Sequence, residues 1–303
     1  MSIAVHTPDT QDRSFIGRWP GVMERLTQTL QSENDGSAGP LALTALPWSE
    51  QAEDASALEG FELILPVIVW GYHRDPQLWR KACALWEKAG LPFANPADVI
   101  AWNSDKTYLR ELSDKGVRIA PTLWRHQVTM ADVEAAFAST GASALVVKPT
   151  VSAGAWRTLK LEPGQPLVDP FEGPVMIQPF LSSIQTDGET SLLYFGGRFS
   201  HAVNKRPAEG EFRIQIQFGG DYQAVDPDEG ALALAEATLA AIDRPLLYAR
   251  IDMARDETGA WVLMEAELIE PDFYLEHDPA KGAGLARAIA ERRGRPMTAQ
   301  GRP

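Results

Sequence analysis

The chain has 303 residues, 45% of them apolar and 23% charged, with a formal net charge of −13 at pH 7. That length allows two or three domains with real cores, and the acidic balance argues against nucleic acid or an anionic membrane as a partner. A single cysteine, Cys83, excludes an intrachain disulfide and suits a reducing compartment. It falls in a helical stretch and reads as a packing thiol. No apolar run approaches the roughly 20 residues that span a bilayer. The first residues lack the basic start and apolar core of a signal peptide, so a cytoplasmic protein is expected.

Segments 2–5, 41–46 and 61–70 read as strands, and 19–31 and 76–90 as the helices alternating with them. That order predicts a small parallel α/β domain over residues 1–100, with 32–40 as a polar loop. Tyr72, His73 and Arg74 follow its strongest strand. Ligands of open α/β sheets gather at the carboxyl ends of strands, so these three are candidate substrate contacts, with capping of the sheet edge as the other reading. Short helices are expected over 96–102 and 104–115, with Asn103 or Ser104 as an N-cap. Strands at 117–124, 144–148 and 156–161 surround a helix at 130–139. Further strands are expected at 175–180, 190–195, 198–204 and 212–218, then a helix at 227–242, a hairpin, a helix at 279–292 and a disordered tail from 294.

Lys148 ends an apolar strand and is followed by a loop of small residues, 150–155, that contains Ser152 and Gly154. An ammonium is an expensive choice there unless it meets an anion, and such loops let backbone N–H groups approach phosphate. A surface lysine beside a pliant loop is the other reading. Lys106 stands at a helix start where it too can reach a phosphate. Pro179 interrupts strand pairing, which would leave backbone groups after Gln178 to read an adenine edge, with Phe180 and Leu181 packing on the ring. Glu189 suits ribose hydroxyls. Arg206 and Arg213 lie on neighbouring predicted strands, where a cross-strand ion-pair face is the alternative.

The hairpin joins two apolar runs, 246–254 and 261–268, through Asp256-Glu257-Thr258-Gly259. Glu265 and Glu267 are two apart and project from one face; Asp252 stands on the opposing strand. Crowded carboxylates repel one another, and a hard divalent cation such as Mg²⁺ is the usual remedy.

The order of these features resembles the ATP-grasp superfamily of carboxylate–amine ligases, in its glutathione-synthetase-like branch. The motifs Asn103-Ser104-Asp105-Lys106, Gly188-Glu189-Thr190-Ser191 and Glu265-Ala266-Glu267-Leu268-Ile269-Glu270-Pro271 are similar to those of cyclo-ligases that close O-ureido-D-serine to D-cycloserine. The resemblance implies an α/β (α+β) ATP-grasp fold: an N-terminal Rossmann-like pre-ATP-grasp domain at 1–100, a central lid subdomain at 101–180 and a C-terminal subdomain at 181–303. It implies ATP and Mg²⁺, or Mn²⁺, as cofactors. Lys106, Lys148, Ser152, Gly154, Gln178, Phe180, Leu181 and Glu189 would hold the nucleotide, and Asp252, Glu265 and Glu267 the metal. Arg206, Arg213 and Arg250 would serve catalysis, with a salt bridge to a hairpin acid as the other reading of Arg250. Glu267 departs from the family's usual asparagine and adds a negative charge. The implied reaction is ADP-forming activation of a small amino-acid-like carboxylate for attack by an amine, within the molecule or from a second one. A homodimer is a family-level expectation. A non-catalytic nucleotide-binding module is the alternative from another class, and the absence of GxGxxG after a strand argues against a dinucleotide oxidoreductase.

Overall fold

The computed structural model describes residues 1–10, 12–15, 17–32, 41–168 and 171–292. Most of the predicted 32–40 loop and the predicted tail from 294 lie outside these residues. Three sheets organise the chain. β1 (Ser2–Thr7), β2 (Ala42–Pro47) and β3 (Leu63–Leu65) form a parallel sheet in the order β2-β1-β3, with α1 (Trp19–Ser32) and α2 (Pro76–Lys88) packed on it. α2 begins as its sequence dictates: Pro76 occupies the first turn and the Asp75 side chain accepts from Leu78 N–H at 3.0 Å.

Two short helices, α3 (Ala97–Asn103) and α4 (Tyr108–Asp114), lead to an antiparallel sheet of β4 (Leu123–Arg125), β5 (Leu145–Pro149), β6 (Leu159–Leu161) and β7 (Val175–Pro179), ordered β4-β7-β5-β6. α5 (Met130–Thr140) covers it, opened by a reciprocal Thr129–Asp132 capping box and closed by Gly141 at φ +64°. After the single-turn α6 (Ser183–Thr186) comes a five-stranded antiparallel sheet. It comprises β8 (Glu189–Phe195), β9 (Arg198–Arg206), β10 (Asp221–Val225), β11 (Tyr248–Arg255) and β12 (Trp261–Glu267), ordered β10-β9-β8-β11-β12, with α7 (Glu229–Ile242) and α8 (Ala283–Arg292) against it. None of the described helices is long and apolar enough to cross a membrane.

Several expected elements differ. The 61–70 strand shortens to β3, and the chain then turns through Gly71 at φ +96°. Asn103 is no N-cap; it ends α3 and clamps the backbone of β12, donating to Ala266 O at 2.8 Å and accepting from Leu268 N at 3.0 Å. The expected 156–161 strand starts only at Leu159, because Ala155 and Arg157 adopt left-handed backbone. The expected strand at 212–218 is a loop. Glu211 draws in the N–H groups of Phe212 and Arg213, local bonds that compete with a ladder, and Ile216 is 61% exposed. β10, which follows it, was not anticipated.

Asn95 ties the N-terminal layer to the large sheet. Buried, it donates to the carbonyls of Tyr248 and Leu268 at 2.9 and 2.8 Å and accepts from Leu247 N at 2.8 Å. The two antiparallel sheets, together with α1 and the 67–74 segment that follows β3, surround one cleft of about 1520 Å³.

Candidate active site

β11 and β12 supply the floor of the cleft. Their register sets Asp252 opposite Glu265 and Arg250 opposite Glu267, so the pleat turns all four side chains to one face. Arg250 bridges two acids: it donates to Asp252 at 2.9–3.2 Å and to Glu267. Burial opposes the Asp252 charge, but Arg250 and Lys205 outweigh it and hold the carboxyl at about 2. Glu267 is the converse; burial dominates and raises it to about 8. Arg250 is therefore both the hairpin-acid salt bridge and a cleft residue.

Lys106 enters from the α3–α4 turn. Its ammonium meets Glu265 Oε1 and the Ser152 carbonyl, each at 2.8 Å, and its own N–H donates to Thr150 O. Burial favours the neutral amine here, yet Glu265 prevails and raises its pKa. Lys148, on β5, lines the same space; burial lowers its pKa, and Glu265 offsets this only in part. Ser152 and Gly154 line the cleft above these lysines, with Gly154 at φ +60°.

On the neighbouring strand of the sheet that carries Lys148, and just beyond it, stand Gln178, Phe180 and Leu181. Pairing continues through Pro179, opposite Leu145, and Phe180 N–H donates to Ala144 O at 2.9 Å. The proline therefore does not free that donor, because β5 runs on beside it. Gln178 donates its amide to Thr122 at 2.9 Å, and Lys160 lies 4.0 Å over the Phe180 ring.

Glu189 is bonded to Lys205 at 2.7 Å, and Lys205 also reaches Asp252 at 3.4 Å. Only 2% exposed, Lys205 is the member of the basic run 204–206 that enters the site, whereas the sequence reading gave the catalytic role to Arg206. Strand alternation decides between them. β9 turns Lys205 into the cleft and leaves Arg206 exposed, bonded to Asn204 and absent from the lining. Arg213 does line the cleft, held by Glu211 at 2.7 Å and stacked 3.6 Å over Phe218.

Tyr72, His73 and Arg74 line a further wall of the cleft. Tyr72 packs on Trp79, Arg74 pairs with Asp12 at 2.5 Å, and His73 faces Trp156 with ring centroids 5.5 Å apart. Glu270, part of the 265–271 motif but given no role from the sequence, lines the cleft as well.

An all-oxygen donor set of Asp252, Glu265 and Glu267 suits a hard divalent cation chemically. Among the described residues, however, no three acidic, histidine or cysteine side chains stand together as a ready metal group. Lys106, Lys205 and Arg250 engage the acids instead. Burial, joined by the neighbouring acids Asp252 and Glu265, holds Glu267 at about 8 despite Arg250, and a divalent cation would favour its ionised form.

A cleft between two antiparallel sheets, floored by acids and walled by buried lysines, defines a class, and sequence comparison agrees with it. The chain belongs to the ATP-grasp ligases and is an ATP-dependent, ADP-forming ligase. It is 30% identical to the cycloserine biosynthesis protein DcsG of Streptomyces lavendulae over 217 residues, 65% of this chain and 72% of that one. It is 29% identical to the glutathione synthetase of Prochlorococcus marinus (strain MIT 9313), over 87% of this chain and 85% of that one. Among solved structures, D-cycloserine synthetase DcsG superposes with a TM-score of 0.77 at 24% identity, covering 96% of this chain and 99% of that one. The D-alanine–D-alanine ligase of Bacillus anthracis gives 0.66 at 14% identity, over 97% and 96%. No protein-family model matches the chain.

Proposed function

We propose that this ligase activates the carboxylate of a small amino-acid-like substrate as an acyl phosphate and joins it to an amine, with ring closure within one molecule as the favoured outcome. The observation that carries the reading is the convergence of Lys106, Lys148, Arg250 and the acid floor in one cleft that Tyr72–Arg74 also line. Similarity to DcsG, a cycloserine biosynthesis protein, favours the cyclising outcome; similarity to glutathione synthetases supports an intermolecular one.

In this reading Lys106 and Lys148 bind phosphate oxygens, and Ser152 and Gly154 fold over them to exclude water, which an acyl phosphate requires. Phe180 and Leu181 pack against the base, and Glu189, paired with Lys205, takes the ribose hydroxyls. Asp252, Glu265 and Glu267 hold Mg²⁺, which when bound offsets charge on the β- and γ-phosphates. Arg250 and Lys205 stabilise negative charge on the transferring phosphoryl group, and Arg213 screens the outer phosphates. Tyr72, His73 and Arg74 orient the carboxylate substrate.

The test is ADP release by purified protein with Mg·ATP and a panel of amino acids, the products weighed by mass spectrometry. Release that depends on one amino-acid-like compound and gives a product lighter by water, or by water plus the carbamoyl group where the nucleophile carries a ureido cap, supports cyclisation. Release requiring two compounds supports the intermolecular reading, and release with no carboxylate at all defeats both.

A further inference from the structure

His73 is only 6% exposed, yet neither ring nitrogen has a hydrogen-bond partner among the described residues. Buried polar atoms without partners are rare, and one that lines a ligand cleft marks a bond left for the ligand. Burial, with Arg74 and Lys106 nearby, lowers its pKa to about 4, so at neutral pH the ring is uncharged and offers one nitrogen as an acceptor. Glu270 lines the same cleft from the segment after β12. Among the described residues no Lys or Arg stands within ion-pair distance of its side chain; burial outweighs the more distant Lys106 and raises its pKa to about 8, which leaves an acid short of a cation. Ile269, the residue before Glu270, packs in one buried cluster with Tyr72, the neighbour of His73, so the two walls meet at this point of the cleft.

Arg74 and Lys106 are held by acids of their own, Asp12 and Glu265, so Glu270 and His73 present an acid and a neutral imidazole, two acceptors once a cation draws the proton from Glu270. An anion placed between them would be repelled by Glu270, and two protein donors make a poor metal site. A primary ammonium, with three N–H donors and a positive charge, matches both. Resting on the ligase reading above, we infer that Glu270 and His73 form the subsite that holds the ammonium group of the amino-acid substrate. A nitrogen held there stays protonated and has no lone pair, so it is a recognition group and not the attacking amine. The nucleophile is then a second nitrogen, of the same molecule or of another.

Calorimetry with Mg·ATP analogue present tests this with two matched pairs: D-alanine against D-lactate, and D-serine against D-glycerate, which differ only in ammonium versus hydroxyl. The wild type should bind the amino acid at least about tenfold tighter than its hydroxy acid, as a charge-assisted hydrogen bond implies. Glu270→Gln should erase that preference, and His73→Phe, which keeps a ring against Trp156, should reduce it, each with nucleotide affinity unchanged. Equal binding of the two acids by wild type overturns the inference, as does a preference that survives in both variants. ADP release as fast with lactate or glycerate as with the amino acids also overturns it while leaving the ligase reading intact. ADP release with no carboxylate removes the ligase reading, whatever the binding preference.

Discussion

Lys106 places its ammonium 2.8 Å from Glu265, and the same nitrogen reaches the Ser152 carbonyl at 2.8 Å. One buried charge thus joins the hairpin to the 150–155 loop. Any change in the charge of Glu265 is felt at the loop through Lys106.

Glu265→Gln keeps the size and one acceptor oxygen but removes the charge. It should fold with unchanged circular dichroism and lose ADP formation by at least about 100-fold. A variant retaining activity within about threefold of wild type would sink the assignment of Glu265 to the phosphoryl-transfer centre.

The β9 pleat separates two adjacent cations. Lys205→Met removes the partner of Glu189 and Asp252 from the interior and should lower both activity and stability, the latter by about 3–5 kcal/mol for a broken buried pair. Arg206→Ala, at an exposed position, should change stability by no more than about 0.5 kcal/mol and leave ADP release nearly as in wild type. Urea melts and ADP assays on the two variants decide the matter; an inactive Arg206→Ala would return that arginine to the site.

Asn95 makes three buried bonds of 2.8–2.9 Å, to Tyr248 on β11 and to Leu247 and Leu268 beside β11 and β12, and a longer one to Tyr248 N at 3.4 Å. Asn95→Ala strands three backbone groups without partners, each costing about 1–3 kcal/mol, so the loss should exceed that of an ordinary buried polar truncation. Urea unfolding gives the number. A loss under about 1 kcal/mol would mean the bracket is not what joins the layers.

Acid stability reports on His6. It lies between Trp86 and Phe93, at 4.9 and 5.5 Å between centroids, with neither nitrogen bonded, and burial lowers its pKa from 6.5 to about 3. The unfolded chain takes up a proton below 6.5 that the folded one refuses. This contribution to stability is therefore intact above 6.5 and drains away as pH falls toward 3, by about 1.4 kcal/mol per unit. His6→Leu should lose less stability than wild type between pH 7 and pH 5 in parallel denaturant titrations. Equal losses would show that His6 is not shielded from protons.

Much of the architecture was legible locally. Alternating strands and helices, the Asp75-Pro76 helix start and the 256–259 turn follow from short-range chemistry, and each appears near its expected place. The 212–218 strand was not legible. Its alternating apolar residues fit a strand, and only the local grip of Glu211 on Phe212 and Arg213 redirects them. Glu265 and Glu267 share a face because a strand has period two, which the sequence alone determines. Tertiary structure decided the rest: that Arg250 stands opposite Glu267 and bridges to Asp252, that Lys205 and not Arg206 faces inward, and that His73 and Glu270 line one cleft. Periodicity says which residues share a side of an element, whereas the partner each one meets depends on how distant segments pack, and no local pattern carries that information.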